Sequence, residues 1–475
     1  MTIADNTERG LDLTRWPRHA TRDERRALGK AARQVLPLGR LAELGVASQG
    51  RDAVELIGRQ DAGRLQWLVP IRYGRMLRSP FVFFRGTAGL MAHDLACEGS
   101  SGLTVQLCGD AHLLNFGVFG SPERTLVFDL NDFDETLPGP FEWDVKRLVA
   151  STVLAARSRG FKPKRQREIA CATAWRYRGA MREFAVGDSL TTWYAQTEVD
   201  QLISTITDAE QRAFAERIAT RARGKNHLQA VSRFTNVVEG TRRIIGDWPV
   251  ILPLRDFPDA QISEDPEALI RGAFLEYLAS VRDDVRVLLD RYTYVDSAIK
   301  VVGVGSVGTR CSIVLMQGND ENDLLFLQVK EAGKSALEPY LTDSEYAHGG
   351  QRVVAGQRLM QSASDAFLGW ASGPLDTHYY WRQLRDWKGS VEIEKMNADT
   401  LLMYGRLCAW TLAKAHARSG DPVAIAAYTG SSERFEHAIV EHAIAYADQT
   451  ERDYGALVEA VFDGRVKASD DEVGE

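Results

Sequence analysis

The sequence predicts an α+β chain in which a large, mostly helical lobe carries a small β-rich lobe within its length. Three observations predict it. Helix-compatible apolar spacing dominates the first 290 or so residues and returns beyond 391. β-patterned residues gather in AIKVVGVGSVGTRCSIVLMQGNDENDLLFLQVK at 298–330. A carboxylate-rich hairpin, LCGDAHLLNFGVFGSPERTLVFDLNDFDE, fills 107–135. At 475 residues the chain exceeds what one simple core organises.

Composition removes several functions. A net charge of −7 argues against a general nucleic-acid binder, which needs a basic face, while leaving room for a local basic patch. The five cysteines include no CxxC pair, so neither a disulfide framework nor a zinc site is expected. The opening MTIADNTERGLDL lacks a basic-then-apolar leader pattern, and no apolar run approaches the roughly 20 residues of a membrane span. The expectation is a cytoplasmic protein with neither a nucleic-acid nor a membrane partner. No pattern specifies an oligomeric state.

Taken in order, residues 1–100 are rich in Arg, Ala and Leu and predict a helical segment packing on the large lobe, with helices at 22–44 and from 52 onward. Residues 80–86, PFVFFRG, predict a short buried strand ending at a glycine turn. Arg85 beside it is a candidate for a phosphate or carboxylate, a structural ion pair being the plainer role. Residues 101–293 hold the hairpin and further helices of the large lobe. In the hairpin Asp110 and Asn115 sit five apart, apolar strands flank Gly120-Ser121-Pro122, and the second arm ends in Asp129, Asp132, Asp134 and Glu135. Carboxylates crowded at the ends of apolar strands suit a cation, best Mg²⁺, which takes a few protein oxygens and leaves room for phosphate and water. A helix then starts at 140–145, its inner face marked by Val145, Leu148, Val149 and Val153. Helix succeeds helix over 162–291, with breaks near 187–188, 224 and 249–258. The cluster Arg217, Arg221, Arg223 and Lys225 is most simply a solvated helix end.

Residues 294–390 form the predicted small lobe: the β-rich stretch, helices at 335–341 and 350–361, and strands at 366–370 and 378–384. Residues 391–475 complete the large lobe with helices at 397–416 and 433–462, then an acidic tail expected to fray beyond 467.

Gly303-Val304-Gly305-Ser306-Val307-Gly308 satisfies GxGxxG after an apolar strand. A dinucleotide-binding unit would need a helix to open within that motif. The next residues, TRCSIVLM and then LLFLQV, instead predict a hairpin with Lys330 ending its second strand. A glycine turn between antiparallel strands, with a lysine on the next strand, is how kinases cover ATP phosphates. The plain alternative is a tight loop and a surface lysine.

With these residues in view, the chain resembles the aminoglycoside and choline kinase branch of the protein-kinase-like fold. Gly109-Asp110-Ala111-His112-Leu113-Leu114-Asn115 is similar to that group's catalytic loop, Asp129 to its metal-binding aspartate, and Asp144 in PFEWDV to the helix-start aspartate that braces the loop. The glycine turn, Lys330, a hinge near 382–385 and the helix at 400–416 all come after the catalytic loop instead of preceding it. The chain thus looks circularly permuted, an order that resembles the uncharacterised bacterial family called domain of unknown function 2252, over about residues 20–460.

The resemblance implies a bilobal fold that binds ATP and Mg²⁺. It makes Asp110 the base, Asn115 and Asp129 the metal ligands and Asp132 a second metal candidate. Gly303, Gly305, Ser306 and Gly308 would cover the phosphates, Lys330 would neutralise them, and Gln383 and Leu384 would meet the nucleotide at the hinge. His112 is assigned to the metal or phosphate, or to a structural hydrogen bond. Two departures stand out. Cys108 replaces a usual histidine, and the glutamate that should orient Lys330 is not evident among Glu338, Glu345, Gln351 and Gln357. The expected activity is transfer of the γ-phosphate to a hydroxyl of an unidentified small-molecule acceptor. The alternatives are a catalytically weak nucleotide-binding regulatory protein, AMP transfer to protein with ATP reversed and, last, a dehydrogenase. Asp132, Asp134 and Glu135 could receive a cationic acceptor, or serve as metal shell or solvated loop.

Overall fold

The computed structural model describes residues 20–469 apart from 46–49, 226, 257–265, 302, 385, 386 and 390. The architecture is α+β, mostly helical with several antiparallel sheets.

The largest sheet has six strands in the order Gly369–Ser372, His378–Gln383, Leu324–Glu331, Cys311–Gln317, Thr293–Lys300 and Ile251–Pro253. Every pairing in it is antiparallel. Leu324–Glu331 is covered on both faces, which is why it reads as an apolar run and not as an alternation. On one face Tyr277, from the helix Pro266–Ser280, stacks on Trp381 with ring centroids 4.8 Å apart. On the other, Phe234 meets Phe326 edge-on at 6.1 Å.

The helical body forms around Phe141–Ser158, in which every side chain from Phe141 to Ala156 is buried. Pro163–Val186, Ala398–Ser419 and Arg434–Phe462 pack against it. The N-terminal segment touches both parts. Arg22–Val35, closed by a Thr21–Glu24 capping box, lies on Pro422–Thr429. Leu68 and Ile71 instead pack on Val301 and Val307 of the glycine turn. Among the described residues no helix is long and apolar enough to cross a membrane.

Three local expectations are corrected. Residues 80–86 form not a strand but the helix Pro80–Arg85, because Ser79 caps it by accepting from the Val82 N–H at 3.2 Å and proline occupies its first turn. The region expected to be all helix contains Thr235–Val238 and Thr241–Ile244, joined by Glu239 and Gly240 at φ 51° and 78°. Two successive positive φ values make the tight turn that suits a hairpin. Nearby Ile251–Pro253 joins the edge of the six-stranded sheet, so that sheet begins earlier in sequence than 294. The helix expected at 335–341 is a single 3₁₀ turn, Glu338–Tyr340. Arg385 of the hinge, residues 1–19 of the N-terminal segment and 470–475 of the acidic tail lie outside the described residues.

Candidate active site

The carboxylate hairpin and the glycine turn meet at a cavity of about 310 Å³. Asp110, His112, Leu114, Asn115 and Asp132 line it from the hairpin. Gly303, Gly305, Ser306, Gln328, Lys330 and Leu384 line it from the sheet, and Arg85, Arg382 and Lys388 complete it.

The Asp110 loop is fixed from below. Gly109 has φ 82°, and a Cβ there would lie 2.4 Å from the Glu135 carbonyl oxygen, so glycine is required on both counts. Asp144 accepts from the Cys108 and Gly109 N–H groups at 2.7 and 3.1 Å. His416 Nε2 lies 3.3 Å from the same carboxylate, and its Nδ1 lies 2.8 Å from the Tyr177 hydroxyl. A buried histidine from a distant helix thus supports the brace, while Cys108 Sγ sits 3.3 Å from the Asn115 amide nitrogen.

Arg147, three residues beyond Asp144 on the same helix, donates to Asp110 Oδ1 from two nitrogens at 2.7 and 2.6 Å. The other oxygen lies 3.6 Å from His112 Nε2. Burial pushes the Asp110 carboxyl up, against the pull of Arg147 and Arg85, with the nearby Asp134 charge adding to the rise. A raised carboxyl is a better proton acceptor than an ordinary one. Burial, Arg85 and Arg147 hold His112 well below the usual imidazole range, so it is neutral, and its buried Nδ1 has no hydrogen-bond partner among the described residues.

Asn115 donates through its amide nitrogen to the Asp110 and Asp132 carbonyls at 2.9 and 3.1 Å, which leaves its oxygen for a cation. Asp132 lines the cavity with a side chain 42% exposed. Asp129 does not reach it. Register pairs Asp129 with Gly117 inside the hairpin, and its carboxylate, 3% exposed, is ion-paired with buried Lys414. Of the expected metal ligands the structure therefore brings Asn115 and Asp132 together and turns Asp129 into the helical body. Among the described residues no three His, Cys, Asp or Glu side chains converge as a metal cluster. The oxygen pair of Asp132 and Asn115 fits Mg²⁺, which favours one or two carboxylates completed by phosphate and water.

Lys330 Nζ lies 2.7 Å from Asp134 and 3.4 Å from Asp132. Asp134 also accepts from the Tyr380 hydroxyl at 2.8 Å. Burial alone would pull the ammonium down, but Asp132 and Asp134 reverse this and hold it well above its ordinary value. Asp134 is correspondingly held at about 2, Lys330, Tyr380 and Arg382 outweighing its burial. The closest carboxylate to Lys330 thus comes from an aspartate on the hairpin and not from a glutamate. Glu338 lies 4.0 Å from Arg352 and Lys334 instead, and Gln357 bonds Gln361. Glu135 accepts from Ala336 N–H and Ser335 Oγ at 2.6 and 3.0 Å, so neither it nor Asp134 is open to a cationic acceptor.

A strand, Cys311–Gln317, comes after the glycine turn where a dinucleotide fold needs a helix. Gly308 does not face the cavity. At φ 91° it packs on Arg64, and its carbonyl accepts from Leu65 N–H at 2.7 Å. Gln383 is likewise off the cavity. Strand alternation points Arg382 and Leu384 inward and Gln383 outward, where its N–H donates to Asp365 at 2.8 Å. The basic cluster near 217–225 is surface, Arg221 pairing with Glu392 at 3.0 Å and Arg223 with Asp200 at 2.7 Å.

Residues 64–460 match the family model described as an uncharacterized protein conserved in bacteria, DUF2252. The chain belongs to this family. No curated protein and no solved structure matches it. The matched span of this DUF2252 chain includes every cavity-lining residue from Arg85 to Lys388. Sequence reasoning missed Arg147, Gln328 and Lys388, and named Arg382 only as the start of a hinge. Only Arg147 carried a signal, one helical turn beyond a buried acid on an otherwise apolar face.

Proposed function

We propose that this DUF2252 chain is an ATP- and Mg²⁺-dependent phosphotransferase acting on a hydroxyl of a small-molecule acceptor, on a bilobal protein-kinase-like fold whose sequence order is circularly permuted. One observation carries the reading. Asp110, Asn115 and Asp132 share one cavity with Lys330 and the glycine turn, and Lys330 touches Asp134 from 196 residues away. Strand ends far apart in sequence that converge on one cavity support a transfer site.

Asp110, its carboxyl raised by burial and oriented by Arg147, accepts the acceptor's proton. Lys330, fixed by Asp134, and the backbone of Gly303 to Ser306 offset phosphate charge. Asp132 and the Asn115 oxygen would hold Mg²⁺, which supplies charge neutralisation to the phosphates. In the simplest orientation, with the phosphates under the glycine turn, the γ-phosphoryl group moves. Neutral His112 and Arg85 stand beside Asp110 to position the acceptor hydroxyl. Isothermal titration of ATP into the full chain, with and without Mg²⁺, tests the reading. Mg²⁺-dependent binding that Asp132→Asn abolishes is expected, and binding indifferent to both contradicts it.

A further inference from the structure

Buried cations elsewhere in this molecule are answered by carboxylates: Arg147 by Asp110, Lys330 by Asp134, Lys414 by Asp129 and Arg178 by Glu436. Arg382 and Lys388, both half-buried, have no carboxylate in contact among the described residues. Both line the cavity, and among the described residues neither forms an ion pair. The groups that hydrogen-bond Arg382 are neutral, while the charges of Asp132, Asp134 and Asp365 act on it from farther off. Its Nε donates to Gln328 Oε1 at 2.9 Å, a terminal nitrogen reaches the Asn131 carbonyl at 3.3 Å, and the guanidinium lies 5.7 Å from the Tyr380 ring centroid.

Lys388 is placed by its neighbours. The Trp387 N–H donates to the Lys225 carbonyl at 3.0 Å, and Gly389 exchanges hydrogen bonds of 3.0 and 2.9 Å with Val118. The loop is pinned on both sides of a lysine whose own head group makes no hydrogen bond among the described residues. The two cations mark one end of the cavity, since both also border a small recess with Asn131 and Asp365. Arg85, Asp110 and Gly305 border a different recess at the other end.

We propose that Arg382 and Lys388 form a second phosphate subsite, so that the terminal phosphates of a condensed phosphate chain, and not a nucleobase, occupy that end of the cavity. A half-buried charge favours a counterion in contact, and among the described residues no carboxylate touches either cation, Asp132 and Asp365 acting on both only from farther off. A fork-shaped guanidinium beside an ammonium matches a phosphate. A purine would need flat apolar walls, whereas Gln328, Arg382 and Lys388 leave only Leu384 on that side.

The inference rests on the donor-site reading above and changes which phosphorus faces Asp110. With ATP held this way, the acceptor oxygen bonds to the α-phosphorus and the bridging bond from the α-phosphorus to the β-phosphate oxygen breaks. Pyrophosphate leaves with the electron pair, and the hydroxyl proton passes to Asp110. AMP is then the group transferred.

The test uses the full chain with Mg²⁺ and two probes, inorganic tripolyphosphate in titration calorimetry and ATP in product analysis. Wild type is expected to bind tripolyphosphate, Arg382→Gln/Lys388→Gln to bind it at least tenfold more weakly, and Arg382→Lys to retain most of the affinity. Lys388→Gln alone, which removes no hydrogen bond, is expected to weaken binding several-fold and guards against a folding defect in the double variant. ATP is expected to yield pyrophosphate with the AMP moiety on acceptor or water. Equal tripolyphosphate binding by all variants, or ADP and phosphate as products, overturns the subsite and leaves the phosphotransferase reading standing. Variant-sensitive tripolyphosphate binding with no ATP turnover by wild type supports the subsite and counts against the transferase.

Discussion

Two buried lysines in this protein meet aspartates of the same hairpin, with opposite consequences. Lys414 and Asp129 are 1% and 3% exposed and close on each other inside the helical body. Lys330 is equally buried at 3%, but its partners Asp132 and Asp134 are 42% and 28% exposed, and Asp132 lines the cavity. The first pair has nowhere for a ligand to enter. The second leaves carboxylate oxygens and a raised ammonium where phosphates and a cation could replace water. Access, not residue type, separates the closed pair from the one proposed to serve the site, and three residues along one strand end are enough to change it.

The comparison can be broken at several points. The largest effect is expected on turnover: Asp110→Asn should slow it by about 10²–10⁴-fold while ATP affinity, measured by calorimetry, changes little. Next, Asp129→Ala or Lys414→Met should cost about 3–5 kcal/mol in urea unfolding, because each leaves a buried charge unpaired. Joining apolar replacements, as in Asp129→Leu/Lys414→Met, should restore part of that stability. The parallel double change at the cavity, Asp134→Leu/Lys330→Met, should restore no turnover. If it did, the two pairs would be equivalent and the distinction wrong. A smaller loss, roughly 1–3 kcal/mol, is expected for Gly109→Ala from its left-handed backbone and the approach of Glu135.

The smallest effect is one of pH. Burial first, and Arg382 and Lys330 with it, pull Lys388 down to about 7 against Asp365 and Asp132. Its charge is present below that pH and fades above it. Tripolyphosphate affinity should therefore fall, by roughly tenfold or less, between pH 6 and pH 8. Lys388→Gln should flatten that dependence in the same titration.

Much of this was legible in the sequence because it is local. Asp110 and Asn115 share one loop, Asp144 opens the next helix, and a glycine turn between two β-patterned runs with Lys330 beyond can only be a hairpin. What escaped depended on partners far away in the chain. Asp129 and Asp132 both end an apolar strand, and only the position of Lys414 on a helix 285 residues later decides which one is buried. Asp134 supplants the expected glutamate because the hairpin, not the helix Gly349–Met360, faces Lys330. The helix Pro80–Arg85 was misread because a run of phenylalanines outweighed the serine cap before it. Arg382 and Lys388 look like ordinary surface cations until the fold sets both on the cavity wall with no carboxylate in contact among the described residues.

The central claim, that the Asp110 hairpin and the Lys330 sheet together form a transfer site, is tested most directly by phosphorus NMR of MgATP incubated with wild type and with Asp110→Asn. Consumption of ATP that requires Mg²⁺ and falls at least 10²-fold in the variant is the predicted result. Equal consumption by both proteins, or none by wild type across a panel of hydroxyl-bearing acceptors, would contradict it.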